Sequence, residues 1–180
     1  MNAAPPSTLD EHQPRVRMGI DENGLGPRLG PLIVTAVIAE TVGAGHERAE
    51  KRPRGAMRAR LGDSKKLVAH GDTALGEAWA RAIGRRMGHP APEHPEALVR
   101  ALSLDPPETL RAPCPSAHAE QCWSAEGEAF AADSALVDTV ARDLDRLDAL
   151  GVRVLRVACI VTCARRLNEA VDRGLTRFHT

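Results

Sequence analysis

Residues 18–40 read MGIDENGLGPRLGPLIVTAVIAE. At its start, Val16, Met18 and Ile20 alternate with Arg17, Gly19 and Asp21, the period-two pattern of a half-buried strand. The strand is expected to end on two adjacent carboxylates, Asp21 and Glu22. A loop follows, marked by Gly24, Gly26, Pro27, Gly30 and Pro31. Leu32–Ala39 is then an apolar, β-branched run suited to a fully buried strand. Paired acids at a strand end, beside a loop whose backbone can approach a ligand closely, make a platform for a divalent cation and a phosphate. Neighbouring residues on an ideal strand point to opposite faces. Asp21 and Glu22 therefore converge only if the strand ends or bends there, and Gly24 is placed to allow it.

Outward from this stretch, Thr41–Ala59 is a polar connection rich in glycine and arginine, with a third strand expected near Met57–Leu61. Asp63-Ser64-Lys65-Lys66-Leu67 follows. On its own it reads as a helix-entry turn with solvated lysines; it also offers a hydroxyl and two point charges suited to phosphate. Leu75, Trp79, Ile83 and Met87 recur every fourth residue after a cap at Asp72 or Thr73, which predicts a helix with Trp79 on its core face. Prolines crowd residues 88–120, predicting an irregular insertion with one short helix over Pro95–Leu104, Leu98 and Leu102 inward. A helix capped by Asp133 or Ser134 runs to about Leu150 on the stripe Leu136, Val140, Leu144 and Leu147, and Gly151 stops it. Val152–Val161 reads as a strand. A last helix starts at Cys163 or Ala164 and carries Leu167, Val171, Leu175 and Phe178 on one face. The alternation predicts an α/β layer fold over residues 15–180, with a proline-rich insertion at about 88–130, behind a disordered tail at 1–14.

The chain balances 24 basic against 24 acidic residues, so net charge gives no pull toward a polyanion. The distribution is less even. Arg48–Lys66 holds eight basic residues against two acids, net +6, and Glu120–Asp148 eight acids against two arginines, net −6. One basic, polyanion-facing side fits this asymmetry; two solvated faces fit it as well. No apolar run approaches membrane-spanning length, and residues 1–14 lack the charged and apolar regions of a secretory signal, so a cytoplasmic protein is expected. Cys114, His118 and Cys122 are spaced by four, with Cys159 and Cys163 far behind. Pro113 and Pro115 break the helix that a zinc reading would need, and the cysteines are read as inert. His89, His94 and His118 read as polar surface.

The run Gly19-Ile20-Asp21-Glu22-Asn23-Gly24-Leu25-Gly26-Pro27, followed by Leu29-Gly30-Pro31 and the apolar strand, resembles the opening motif of the type 2 ribonucleases H (ribonuclease HII). Asp63–Leu67 lies where that family carries an Asp-Ser-Lys-Lys-Leu signature, and Ala164–Phe178 is a weaker third match. The resemblance implies a ribonuclease H-like mixed sheet with flanking helices. It implies Mg2+ or Mn2+ as cofactor, and metal-dependent endonucleolytic hydrolysis of RNA in RNA–DNA hybrids or at ribonucleotides embedded in duplex DNA. On that basis Asp21 would bridge two metals and Glu22 would bind the second. Gly24, Leu25 and Gly26 would present backbone groups to the ribonucleotide, whose 2′-OH separates RNA from DNA. Ser64, Lys65 and Lys66 would hold phosphates.

The chain departs from that pattern in several places. Leu25 stands where the family usually has arginine, and Asn23 where it has alanine. There is no tyrosine to stack on the sugar. The family's third and fourth aspartates lie on elements beyond the helix that Ala164–Phe178 resembles, which implies a site lacking its C-terminal part. An open sheet edge beside Val152–Val161 and little cleavage by these residues alone are expected. Glu128, Asp133 and Asp138 read as helix-cap and surface acids. Two other classes stay open: a nucleic-acid-binding relative without hydrolysis, and an unrelated phosphate-binding α/β protein using the glycine loop.

Overall fold

Residues 12–23, 31–69, 71–110 and 127–174 are described by the computed structural model. β1 (Arg15–Asn23), β2 (Leu32–Thr41) and β3 (Val152–Thr162) form one three-stranded sheet in the order β1-β2-β3. Both pairings are antiparallel. The mixed sheet expected from the sequence is thus, among the described residues, purely antiparallel. The apolar run of β2 lies in the middle, where both of its edges are paired and it is half-buried along most of its length.

The helix layer covers one face. α3 (Ala74–Arg86), α4 (Pro95–Leu102) and α6 (Ser134–Ala149) bring Ala78, Ala82, Leu98, Leu102, Val137, Val140 and Leu144 together as the core. Val37, Val154, Val157 and Cys159 of the sheet pack against it. Trp79 is half-buried on this core, as its place on the stripe predicts, and its Nε1 donates to the carbonyl of Arg60 at 2.6 Å. α6 begins as expected, with the Asp133 carboxylate accepting from the backbone N–H of Leu136 at 2.7 Å.

Three expectations are corrected, and one is borne out. Met57–Leu61 is not a strand: a 3-10 helix spans Gly55–Ala59, entered through the positive φ of Gly55 (62°), which no extended strand tolerates. The one short helix expected in the proline-rich region does form. Pro95 sits at the first turn of α4, His94 accepts from the Ala97 N–H at 3.2 Å, and Leu98 and Leu102 enter the core. α5 (Pro107–Leu110) follows it. The last helix, α7 (Ala164–Asp172), stops short of Phe178, because Gly174 (φ 79°) closes it in the left-handed conformation and donates to the carbonyl of Val171 at 2.9 Å. Leu175 and Phe178 lie outside the described residues.

The third correction concerns β1, whose alternation is right in period and inverted in face. Val16, Met18 and Ile20 are 71%, 62% and 59% exposed, whereas Arg15 and Arg17 are half-buried. Directly opposed residues of an antiparallel pair share a face. Gly19 stands opposite Val37 and Arg17 opposite Ala39, so the register that sends Val37 into the core sends the apolar residues of β1 to the other side. As for the edges, the open one expected beside β3 is partly closed. Ser103 bridges Cys159 in parallel, and the Leu104 N–H donates to the Cys159 carbonyl at 2.8 Å. β1 forms the opposite edge.

Two glycines hold the turn where β2 meets β3. A Cβ on Gly45 would lie 1.9 Å from the carbonyl oxygen of Gly151, and Gly151 itself has φ +80°. That approach lets the Val42 N–H donate to the Gly151 carbonyl at 3.0 Å. It seats the short α1 (Gly45–Arg48) with His46 buried, its Nδ1 2.8 Å from the Thr41 hydroxyl. Among the described residues, no helix is long and apolar enough to cross a membrane.

Candidate metal and nucleic-acid site

Asp21 and Glu22 are both exposed near the end of β1. With Asn23, they border a shallow groove of about 380 Å3 whose wall is Ile33, Thr35 and Val37 of β2. An Asp21 carboxylate oxygen accepts from the backbone N–H of Glu22 at 3.0 Å. The strand does not break at the acid pair. Pairing continues in regular register from Asp21↔Thr35 through Glu22↔Val34 to Asn23↔Ile33. Asp21 thus shares the face of Thr35 and Val37, on the side of the helices, and Glu22 shares the face of Val34, on the other. Among the described residues, no group of three or more His, Cys, Asp or Glu side chains gathers to hold a metal ion. Gly24, Leu25 and Gly26, assigned to the ribonucleotide contact, lie outside the described residues.

Ser64, Lys65 and Lys66 form α2 (Ser64–Leu67) and are exposed. Asp63 caps that turn, its carboxylate accepting from the Lys65 N–H at 3.1 Å. The local structure is the helix-entry turn that the sequence allows, with both ammonium groups unpaired among the described residues. α2 makes at most marginal contact with β1, so the two motifs are carried by separate parts of the fold.

Just ahead of α2 lies an ion-pair cluster, centred on a buried acid, that the sequence reading did not single out. Asp143 of α6 is wholly buried. It accepts from Arg60 Nε at 2.6 Å, from a second Arg60 nitrogen at 3.1 Å, and from Arg146 at 2.7 Å. Burial alone would push the Asp143 carboxyl up; the hydrogen bonds and charges of Arg60 and Arg146 overcome this and hold it below the usual carboxylate range. Arg60 therefore leaves the set of basic residues open to a polyanion. Arg48, Arg52, Arg54 and Arg58 remain exposed. The acidic stretch is partly neutralised too, by Arg85 on Asp138 and by Arg86 on Asp145 and Asp148. The signal for Asp143 was present in the sequence as an acid on the stripe side of α6, one residue before Leu144.

Asp133 acts as a helix cap and Asp138 as an exposed partner of Arg85. Burial, then the nearby Asp105 charge, raises the Cys159 thiol above its ordinary value, which disfavours the reactive thiolate. Cys114, His118 and Cys122 lie outside the described residues. Comparison with protein-family models, with curated proteins and with solved structures finds no match to this chain.

Proposed function

We propose that this chain is a ribonuclease HII-like protein of ribonuclease H-like fold, acting on RNA–DNA hybrids or on duplex DNA with embedded ribonucleotides. The observation that carries the proposal is the exposed Asp21–Glu22 pair near the end of β1, bordering an open groove and leading into the glycine-studded segment. Carboxylate oxygens are the right donors for Mg2+ or Mn2+. Such ions commonly take one or two protein carboxylates and complete their shell with water and substrate phosphate. Asp21 and Glu22 would hold the metal, which supplies activation of water and stabilisation of the leaving 3′ oxygen. The chain's own contribution is positioning. The β1–β2 pairing fixes the acids, the capped turn at Asp63 presents Lys65 and Lys66 to phosphate, and the exposed arginines of residues 48–58 attract the polyanion.

A second reading is favoured by the unbroken register of β1, which sends the two acids to opposite faces. On that reading the chain binds nucleic acid without hydrolysing it. The deciding experiment is incubation of a duplex carrying one ribonucleotide with the purified chain and Mn2+ or Mg2+. Cleavage that Asp21→Asn abolishes supports the nuclease. Binding without cleavage supports the second reading, and neither binding nor cleavage defeats both.

A further inference from the structure

The sheet extends further than the helices that cover it. α6 ends at Ala149, and beyond it, among the described residues, the helix-side face of β1, β2 and β3 is roofed by residues 48–62. Between the two lies a cavity of about 720 Å3, within the range that holds small organic ligands. Its floor is aliphatic, with Val37, Ala39, Val152 and Val154 from the sheet, Leu147 and Leu150 from the end of α6, and Met57 and Leu61 from the roof. Every charged residue that lines it is a cation: Arg17, Arg48, Lys51 and Arg54. Arg17 is paired with Glu50, and Lys51 with Glu47. Neither Arg48 nor Arg54 has a side-chain partner among the described residues, and both are exposed at the rim.

We propose that this cavity binds a free anionic amphiphile, a single aliphatic chain ending in a carboxylate or similar anionic head. The lining selects that chemistry on two counts. The floor offers no aromatic ring and one hydroxyl, Thr41, which is buried and already engaged with His46. A nucleobase would leave its polar edge unpaired there, whereas an alkyl chain loses nothing. Among the described residues the rim offers two unpaired guanidiniums, while the nearby carboxylates of Glu47 and Glu50 are taken up by Lys51 and Arg17. A cationic or neutral head would leave the guanidiniums unmatched, and an anionic one takes charge-assisted hydrogen bonds. The site does not rest on the nuclease reading, although it adjoins the acid-pair groove, with Gly19 and Val37 lining both.

The test is calorimetric titration of the full chain with sodium decanoate, with decyltrimethylammonium (same chain, opposite head) and with acetate (same head, no chain). Saturable decanoate binding is expected at a Kd on the order of 1 mM, with the other two weaker by about tenfold or more. Arg48→Glu with Arg54→Glu, both at exposed positions and checked for an unchanged circular-dichroism melt, should weaken decanoate by about tenfold or more, and Asp21→Asn should leave it unchanged. Equal binding of the two decyl compounds, or no effect of the double charge reversal, overturns the proposal and moves the chain to the exposed apolar side of β1. Absence of decanoate binding overturns it as well. In that case an oligonucleotide that binds the wild type and not the double variant assigns the rim to nucleic acid, and co-sedimentation with anionic phospholipid vesicles assigns it to a membrane surface.

Discussion

Replacing Asp143 by asparagine removes one negative charge from a site that water does not reach. The side chain is 0% exposed and receives three hydrogen bonds from guanidinium groups. Its two partners differ. Arg60 has a side chain only 19% exposed, so it loses its counter-charge with little water to replace it; Arg146 is 57% exposed and recovers solvent. Breaking a buried pair from one side costs roughly 3–5 kcal/mol. With Arg146 able to rehydrate, the lower end applies, and Asp143→Asn should cost about 3 kcal/mol. For a denaturant slope of about 2 kcal/mol per molar in urea, the unfolding midpoint falls by about 1.5 M. Arg146→Ala should cost less than about 1 kcal/mol, the usual scale for an exposed partner. The pH dependence follows from the same pair. The folded carboxyl is held below its unfolded value, so its stabilisation is complete above about pH 4 and is lost as pH falls through the lower folded value. Urea unfolding followed by circular dichroism, at neutral pH and at pH 3, measures both effects. An Asp143→Asn midpoint within about 0.3 M of wild type at neutral pH would refute the reasoning, because a half-buried Arg60 that has lost its counter-charge cannot be that cheap.

Three other outcomes are expected. Gly45→Ala drives a methyl into the Gly151 carbonyl at 1.9 Å, a backbone clash that should destabilise by about 2 kcal/mol or more; thermal melting checks it, and an unchanged melt would mean the β2–β3 junction moves freely. Lys65→Ala with Lys66→Ala should reduce the slope of log binding constant against log salt for an RNA–DNA hybrid by about one to two, and an unchanged slope would return both lysines to the ordinary surface. Titration of Mn2+ into Asp21→Asn and Glu22→Gln should show heat lost in both if one ion uses both acids, and in only one variant if the strand keeps them apart.

Most of the strand and helix positions were legible because their patterns are strong and local. The β2 run, the four-residue spacing of Leu75, Trp79, Ile83 and Met87, and the Asp133 cap each carry their own physical signal. What failed was decided by tertiary structure. The face of β1 depends on the parity of its register against β2, and a strand carries no mark of that parity when its neighbour is apolar on both sides. Gly55 in the left-handed region turned a strand-like pattern into a 3-10 helix. In the proline-rich region, by contrast, the short helix α4 and its inward Leu98 and Leu102 were legible, because a first-turn proline and a four-residue spacing mark them. At the candidate site, the acid pair and the two lysines were visible as motifs. The tie just ahead of the lysines, Arg60 on Asp143, joins residues 83 apart and has no sequence spacing to announce it.

That tie bears on how a nucleic acid would have to lie. The acid pair belongs to the sheet edge, held there by the pairing of β1 with β2. The lysine motif comes just after Arg60, which is tied to the helix layer, to α6 through Asp143 and to α3 through the bond from Trp79 to the Arg60 carbonyl. The chain between the two parts, residues 42–62, carries the exposed Arg48, Arg52, Arg54 and Arg58. A polyanion touching both motifs would therefore be drawn across this connection, where the positive charge is concentrated, rather than across the exposed apolar side of β1. If both proposals hold, the same geometry would make the connection a point of competition. It roofs the aliphatic cavity, so a ligand that takes Arg48 and Arg54 for its anionic head removes two of the cations that the path between the motifs would use.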